Sequence, residues 1–475
     1  MLRSLTICAT FIVLLLLARP AAAQVQRIED AELIFQQAVE AFDEGDYGMA
    51  YRRFRLVFDT YTLNPKTTAA YLMAGKSLYR DGRHREAADL LTAFIRRFPT
   101  SSYLGEAQRT LDFALQQLER EGQRPATIAL GIALPLGSDD VGLTQALFNG
   151  IRLAVDEVNE SGAAQVRMVF RDTRGTADGA AQAVRTLAEE GVDVVVGPLY
   201  SQEARAAGAA AERAGVVLVA PLATDEDVAE GRRFVFQANP TITSRGERMA
   251  HFAMRELGLD RLGVVAERDA GSISERMGEG FQKEVVLQGG ELAFFELLEN
   301  ARGWAQLDQR IGADTLAAVQ AVYLPVAGNR VDALIESALQ SLERTGAAVQ
   351  VLGNAEWHNF RNRQLASRYE ATYTNDFYVD PGRAGTQDFM RRYREVAGSM
   401  PDAGSVRSRL AYTGYDLARY LLGLSIEDAA RPLREALHAA PRYQGLGIRV
   451  HFGDGNVNRA LYVMRYRDGE RQVVE

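Results

Sequence analysis

VDVVVGPLYSQEARAAGAAAERA (192–214) holds a whole structural sentence: an apolar run, a turn, then a helix. Residues 192–196 are apolar on nearly successive positions, as a strand covered on both faces requires. Gly197-Pro-Leu-Tyr200 is turn chemistry. Ser201 then opens an alanine-rich helix over 201–214. The same grammar extends outward. Apolar runs at 127–134, 166–170, 216–219, 261–266, 291–295, 319–324 and 349–352 alternate with amphipathic segments. In 145–158, Leu147, Ile151, Ala154, Val155 and Val158 form one stripe; in 177–188, Ala180, Ala183, Val184 and Leu187 form another. Such alternation specifies parallel sheets with right-handed crossovers. It breaks at Phe234-Val-Phe-Gln-Ala-Asn-Pro240, with about as many strand–helix units after the break as before it. The expected fold class is α/β: two doubly wound parallel-sheet lobes over 126–475, with a ligand cleft at the carboxyl ends of the strands.

Residues 24–122 read differently. Ala38, Phe42, Gly45, Tyr47, Ala50 and Phe54 align at an offset of 37 with Gly75, Tyr79, Gly82, His84, Ala87 and Leu91. Each copy predicts a helix, a tight turn at the glycine and a second helix; a further amphipathic helix near 102–121 would cap the array. An all-α helical-repeat module therefore precedes the lobes. It resembles the tetratricopeptide repeat, which implies either a protein partner on its concave face or a purely structural role.

Residues 1–23 carry Arg3, an apolar stretch at 5–18 and Ala21-Ala-Ala23, the pattern of a secretory signal peptide cleaved after Ala23. The only cysteine, Cys8, lies inside it, preceded by Ile7 rather than by the small residues of a lipobox. The expectations are export to the periplasm, no lipid anchor, and a mature chain without thiol chemistry. Loss of Arg3 and Arg19 takes the net charge from −8 to −10, which argues against nucleic acid as a partner. The five histidines show no metal spacing, and no nucleophile elbow or phosphate-binding glycine loop is present. No cofactor and no enzymatic activity are expected. Asp454-Gly-Asn-Val-Asn458 predicts a hairpin turn between strands at 448–452 and 460–466.

Eight segments of the two-lobed region, in order, resemble the leucine/branched-chain amino-acid-binding family of periplasmic solute-binding proteins. They are Ile128 to Gly137, Asn149 to Asn159, Val194 to Ser201, Ala220 to Thr224, Phe234 to Pro240, Val351 to Trp357, Gly414-Tyr-Asp416 and Tyr443 to Gly447. The resemblance implies the type I periplasmic binding fold, with three crossovers and a small ligand, such as an amino acid, between the lobes. It implies a ligand carboxylate held by Ser201, by Thr224 and the backbone of Ala223, with Tyr200 and Ser138 facing the cleft. It implies Glu356 as counter-charge for an ammonium group, with Trp357 as an apolar or cation–π wall. From the residues themselves, Ser201 could equally cap its helix, Thr224 could be a loop hydroxyl, and Glu356 could be an exposed loop residue beside a packed Trp357. The sequence departs from the family at Ser272-Ile-Ser274 and Pro325-Val-Ala-Gly328, where the family often carries Tyr-Gly and an aromatic. Two functions follow: a solute-binding protein that serves a membrane permease or a sensor, or, because a repeat module precedes this fold in penicillin-binding-protein activators, a non-enzymatic scaffold for a peptidoglycan synthase.

Overall fold

The computed structural model describes residues 29–61, 64–123, 126–137, 141–268, 273–401 and 405–475. The expected signal peptide, Cys8, Ser138 and Ser272 lie outside the described residues. The chain divides into two compact units, Met1–Pro125 and Ala126–Glu475.

The first unit is five helices: α1 (29–43), α2 (Tyr47–Thr60), α3 (Thr67–Arg80), α4 (His84–Arg97) and α5 (Leu104–Gln123). Gly45 and Gly82 adopt φ of +83° and +78°, a conformation that costs glycine little and other residues much. The turns repeat bond for bond. Asp46 N–H donates to Ala41 O (2.9 Å) and Arg83 N–H to Leu78 O (2.9 Å); Ala50 N–H donates to Asp46 O (2.9 Å) and Ala87 N–H to Arg83 O (3.0 Å). A Cβ on Gly75 would lie 2.6 Å from Leu91 Cδ2, so α3 and α4 approach only because that position is glycine.

The second unit has the two expected lobes. The first holds a five-stranded parallel sheet of β1 (Ala126–Leu134), β2 (Ala164–Asp172), β3 (Val194–Val196), β4 (Val217–Ala220) and β5 (Val235–Gln237), in the order β2-β1-β3-β4-β5. α6 (Val141–Ser161), α7 (Ala177–Glu189) and α8 (Ser201–Ala214) connect them. Strand β1 sorts its side chains by face: Ile128, Leu130, Ile132 and Leu134 enter one core, Ala129 and Ala133 the opposite one. The second lobe opens with α9 (Ile242–Arg255), β6 (Arg261–Glu267), α10 (Ile273–Leu287) and β7 (Glu291–Leu298). It continues through the short α11 (Leu307–Arg310) and α12 (Ala313–Ala317), β8 (Ala321–Leu324), α13 (Val331–Thr345), β9 (Gln350–Gly353), α14 (Arg363–Arg368) and β10 (Thr372–Asn375). The chain then returns to the first lobe with α15 (Ala384–Ala397), α16 (Val406–Glu427), α17 (Leu433–Ala439), β11 (Tyr443–Gln444) and β12 (Arg449–Val450). It ends in the second lobe with β13 (Tyr462–Arg467) and β14 (Glu470–Val473). The second sheet runs β7-β6-β8-β9-β10-β13-β14, so its first five strands repeat the order of the first lobe, and antiparallel β13 and β14 extend its edge.

Three segments therefore cross between lobes: 238–241, 376–383 and 451–461. The hairpin expected around Asp454 to Asn458 is not formed. Strands β12 and β13 belong to different lobes, and the segment between them is the third crossover. It runs parallel to the end of β5: Gln237 N–H donates to Asn456 O (2.8 Å) and Asn458 N–H to Gln237 O (2.9 Å). Asn458 Nδ2 donates to Ala238 O (2.8 Å) and Arg449 O (2.7 Å), which ties the first and third crossovers together.

Two helix pairs pack backbone against backbone. A Cβ on Gly150 of α6 would lie 2.0 Å from Ala411 O of α16, and one on Gly414 of α16 would lie 2.2 Å from Leu147 O. In the second lobe the same reciprocity joins Gly246 of α9 to Met277 O (1.9 Å) and Gly280 of α10 to Thr243 O (2.2 Å).

The sequence pairing of Gly414-Tyr-Asp416 with Tyr443 to Gly447 has a structural cause. Buried Asp416 accepts N–H bonds from Leu446 (2.8 Å), Gly447 (2.7 Å) and Ile448 (3.0 Å). A Cβ at Gly445 would stand 2.3 Å from its Cγ. Replacing Asp416 by Ala strands these donors, and chemical denaturation is expected to show a loss of about 2–4 kcal/mol.

Candidate functional site

Loops at strand ends, together with α9 and α10, deliver the side chains of the inter-lobe cleft. The loop after β4 supplies Thr224 from the first lobe; loops after β8, β9 and β10 supply Ala327, Asn354, Glu356 and Asp376 from the second. Together with Ile242 and Met277 of α9 and α10 they enclose a cavity of about 270 Å³.

Of the residues expected at the ligand, Thr224 and Glu356 meet in this cavity. Tyr200 is 41% exposed and lines an adjoining cavity that shares Asp376 with the first. Ser201 stands behind Thr224. Its Oγ accepts the N–H groups of Thr224 (3.1 Å) and Asp225 (3.2 Å), so it caps a neighbouring loop rather than its own helix. Gly197 makes this placement possible. At φ +111° it lets the turn after β3 run so close to β1 that a Cβ would lie 2.1 Å from Ala133 O.

Two expectations need correction. The Thr224 N–H is not available to a ligand carboxylate, and Ala223 is buried. The Ala223 carbonyl accepts from Gln237 Nε2 (3.1 Å); Thr224 N–H is held by Ser201, and its carbonyl accepts from Ile242 N–H (3.2 Å). What the first lobe offers is the Thr224 side chain. Trp357 is not a cleft wall. It is fully buried in the second-lobe core, its Nε1 donates to Leu324 O (3.1 Å), and its ring fills the space over Gly353, where a Cβ would lie 2.5 Å away.

Sequence reasoning passed over two polar groups of the cavity, Asn354 and Asp376. Asn354 is 4% exposed, and its Nδ2 donates to Val326 O (2.8 Å), which fixes the amide orientation. Its Oδ1 is buried without a partner. An orphan acceptor in a native interior asks for a donor. Glu356 has neither a hydrogen bond nor an ion pair among the described residues and stands open to the cavity. The surrounding protein raises its carboxyl above the usual range, and the Asp376 charge adds to this; Arg245 and Arg409 oppose it.

Asp376 begins the second crossover. Arg245 Nη2 of α9 lies 3.1 Å from its Oδ2, and Arg409 Nη2 of α16 lies 2.8 Å from its Oδ1. Burial alone would raise the Asp376 carboxyl; the two guanidiniums override it and hold it well below the usual range. The signal that could have found Asp376 was weak, because β10 reads Thr-Tyr-Thr-Asn and lacks an apolar run.

A model of the periplasmic binding protein family matches residues 127–471. The chain belongs to this family. Among solved structures, this periplasmic binding protein is similar to one assigned to a branched-chain amino acid ABC transporter from Rhodospirillum rubrum: 22% identity, TM-score 0.59, covering 73% of this chain and 100% of that one. An ABC transporter substrate-binding protein from Sphaerobacter thermophilus is 16% identical at TM-score 0.51, covering 73% and 96%. One from Desulfitobacterium hafniense is 21% identical at TM-score 0.50, covering 73% and 100%. At such identities the likeness is one of fold. No curated protein matches the chain. No helix among the described residues is long and apolar enough to cross a membrane.

Neutralising Asp376 leaves two guanidiniums facing each other, Arg245 largely out of water and Arg409 partly exposed. Asp376→Asn is expected to destabilise the second unit by about 2–4 kcal/mol, below the full penalty of a buried pair because Arg409 can rehydrate. Denaturant melts of the two proteins check this.

Proposed function

We propose that the protein is an exported solute-binding protein of the periplasm, freed of residues 1–23, that captures a small amino-acid-like ligand between its lobes for a membrane permease or a sensor. One observation carries the reading: an unpartnered acceptor, Asn354 Oδ1, and an unpaired carboxylate, Glu356, face Thr224 across one cavity of about 270 Å³. Both second-lobe groups accept hydrogen bonds, so the ligand must bring donors, and an ammonium group satisfies both. Thr224 supplies a hydroxyl for the opposite end. Ser201 acts through it, by holding the loop that presents it. The branched-chain amino acid assignment of the Rhodospirillum rubrum relative agrees with this class of ligand. Closure of the lobes would bury the ligand and create the surface a membrane partner recognises.

A thermal-shift screen over amino acids and their amides tests the reading, since a ligand that binds only the folded protein raises the melting temperature. At least one zwitterionic amino acid is expected to do so, and silence across the whole set sinks the idea. Glu356→Gln is expected to weaken binding of that ligand about tenfold or more, as loss of one charge-assisted contact dictates.

The sign of the pH dependence follows from the raised Glu356 carboxyl. Protonation removes the charge that holds an ammonium group, so affinity falls as pH drops through that raised value, at a higher pH than an ordinary glutamate would give. Calorimetric titration across pH is expected to show the fall in the native protein and a flatter profile in Glu356→Gln.

A further inference from the structure

The cleft does not end at Glu356. Ala355 and Glu356 are a wall shared with a second, larger cavity of about 540 Å³. His358 and Arg471 line it from the second lobe, Phe377 and Tyr378 from the second crossover, and Val406 and Arg409 from the first lobe. Among the described residues, Glu356 is the only acid in its lining. Arg409 gives one nitrogen to Asp376, a carboxylate already held by Arg245. Arg471 Nη1 donates to a carbonyl, His358 O, at 2.7 Å, and pairs with no carboxylate among the described residues. The imidazole of His358 registers the resulting field. Burial first, then the charges of Arg471, Arg409 and Arg363, lower its pKa to about 4, so it is neutral at physiological pH. Its Nδ1 lies 3.0 Å from the Tyr373 hydroxyl.

Unpartnered acceptors thus face one chamber, where the guanidinium of Arg245 is held by Asp376, and the guanidiniums of Arg409 and Arg471 face the next, with Ala355 and Glu356 between them. Resting on the reading that the first chamber takes an ammonium head, we propose that the second chamber takes a distal carboxylate of the same ligand, with Arg471 as its specificity-determining contact. The ligand chemistry is an amino-acid head joined to a further carboxylate. Two sources provide it: an acidic side chain, or the free C-terminus of a short peptide. A planar guanidinium with unused N–H groups matches a carboxylate in both charge and shape. The combined space of the two chambers suits a ligand longer than a simple aliphatic amino acid.

Calorimetric titration of the purified protein with two matched pairs tests this: L-glutamate against L-glutamine, and L-alanyl-L-alanine against its C-terminal amide. In one pair the acidic member is expected to bind about tenfold or more tightly, the value of one charge-assisted contact. The pair that shows the preference identifies the source. Arg471→Gln is expected to abolish the preference while leaving the neutral member's affinity nearly unchanged. Arg471→Lys is expected to keep part of it. Added salt is expected to erode the preference in the unmutated protein, a readout that does not depend on either variant folding. Equal binding of acidic and neutral members overturns the second chamber as a carboxylate site and leaves the amino-acid reading intact. Binding of none of the four overturns both. A preference that survives Arg471→Gln at full strength overturns the role given to Arg471.

Discussion

One carboxylate shared by two guanidiniums organises the centre of this protein. Asp376 sits where the chain leaves the second sheet for the first lobe. Arg245 reaches it from the second lobe and Arg409 from the first. A charge with 12% of its side chain exposed cannot stand alone in such a position, because desolvation would neutralise or expel it. The pairing therefore fixes the second crossover against a helix of each lobe. It also partitions the cleft, since Asp376 lines both the cavity below Thr224 and the one beside Tyr200. With two positive charges to one negative, the triad carries a net positive charge, with Arg245 on the first chamber and Arg409 on the second.

The fold was readable because its strands are buried on both faces. Near-continuous apolar runs such as 127–134 and 192–196 are what strands covered on both faces require, and both hold strands of the first sheet. Strand β10 escaped notice for the opposite reason. Thr372, Thr374 and Asn375 are buried, but their sequence looks like a loop. Their burial is set by neighbouring strands, which no local pattern records. The hairpin expected near Asp454 failed similarly. Turn residues there satisfy the carbonyls of Arg232, ahead of β5, and of Ala238 in the first crossover, partners more than two hundred positions away. The helical unit was legible because Gly45 and Gly82 mark the same backbone requirement twice, 37 residues apart.

The candidate site was legible in part. Thr224 and Glu356 sit at strand ends, and the α/β architecture alone predicts that such positions converge. Their relative weight was not legible. The first-lobe turn looked like the stronger half, yet Ser201 and the backbone around it are consumed by mutual hydrogen bonds. Asn354 looked unremarkable because its importance lies in an unmet valence, visible only once every nearby donor has been placed. Trp357 shows the converse: a large aromatic next to a functional loop served the core that supports the loop.

The reciprocal glycines decide where this molecule can bend. At these glycines, helices α6 and α16, and likewise α9 and α10, touch backbone to backbone with no side chain between them. An intervening layer of side chains is what normally lets packed helices roll or slide by small rotamer adjustments. Without it, each pair behaves as a single stiff strut, and a shear within either lobe would drive carbonyl oxygens into Cα atoms. Deformation is diverted to the three crossing segments, whose backbones alone can absorb it. Ligand capture in this protein is accordingly a problem of torsion at three narrow straps, with the lobes turning as solid bodies about them.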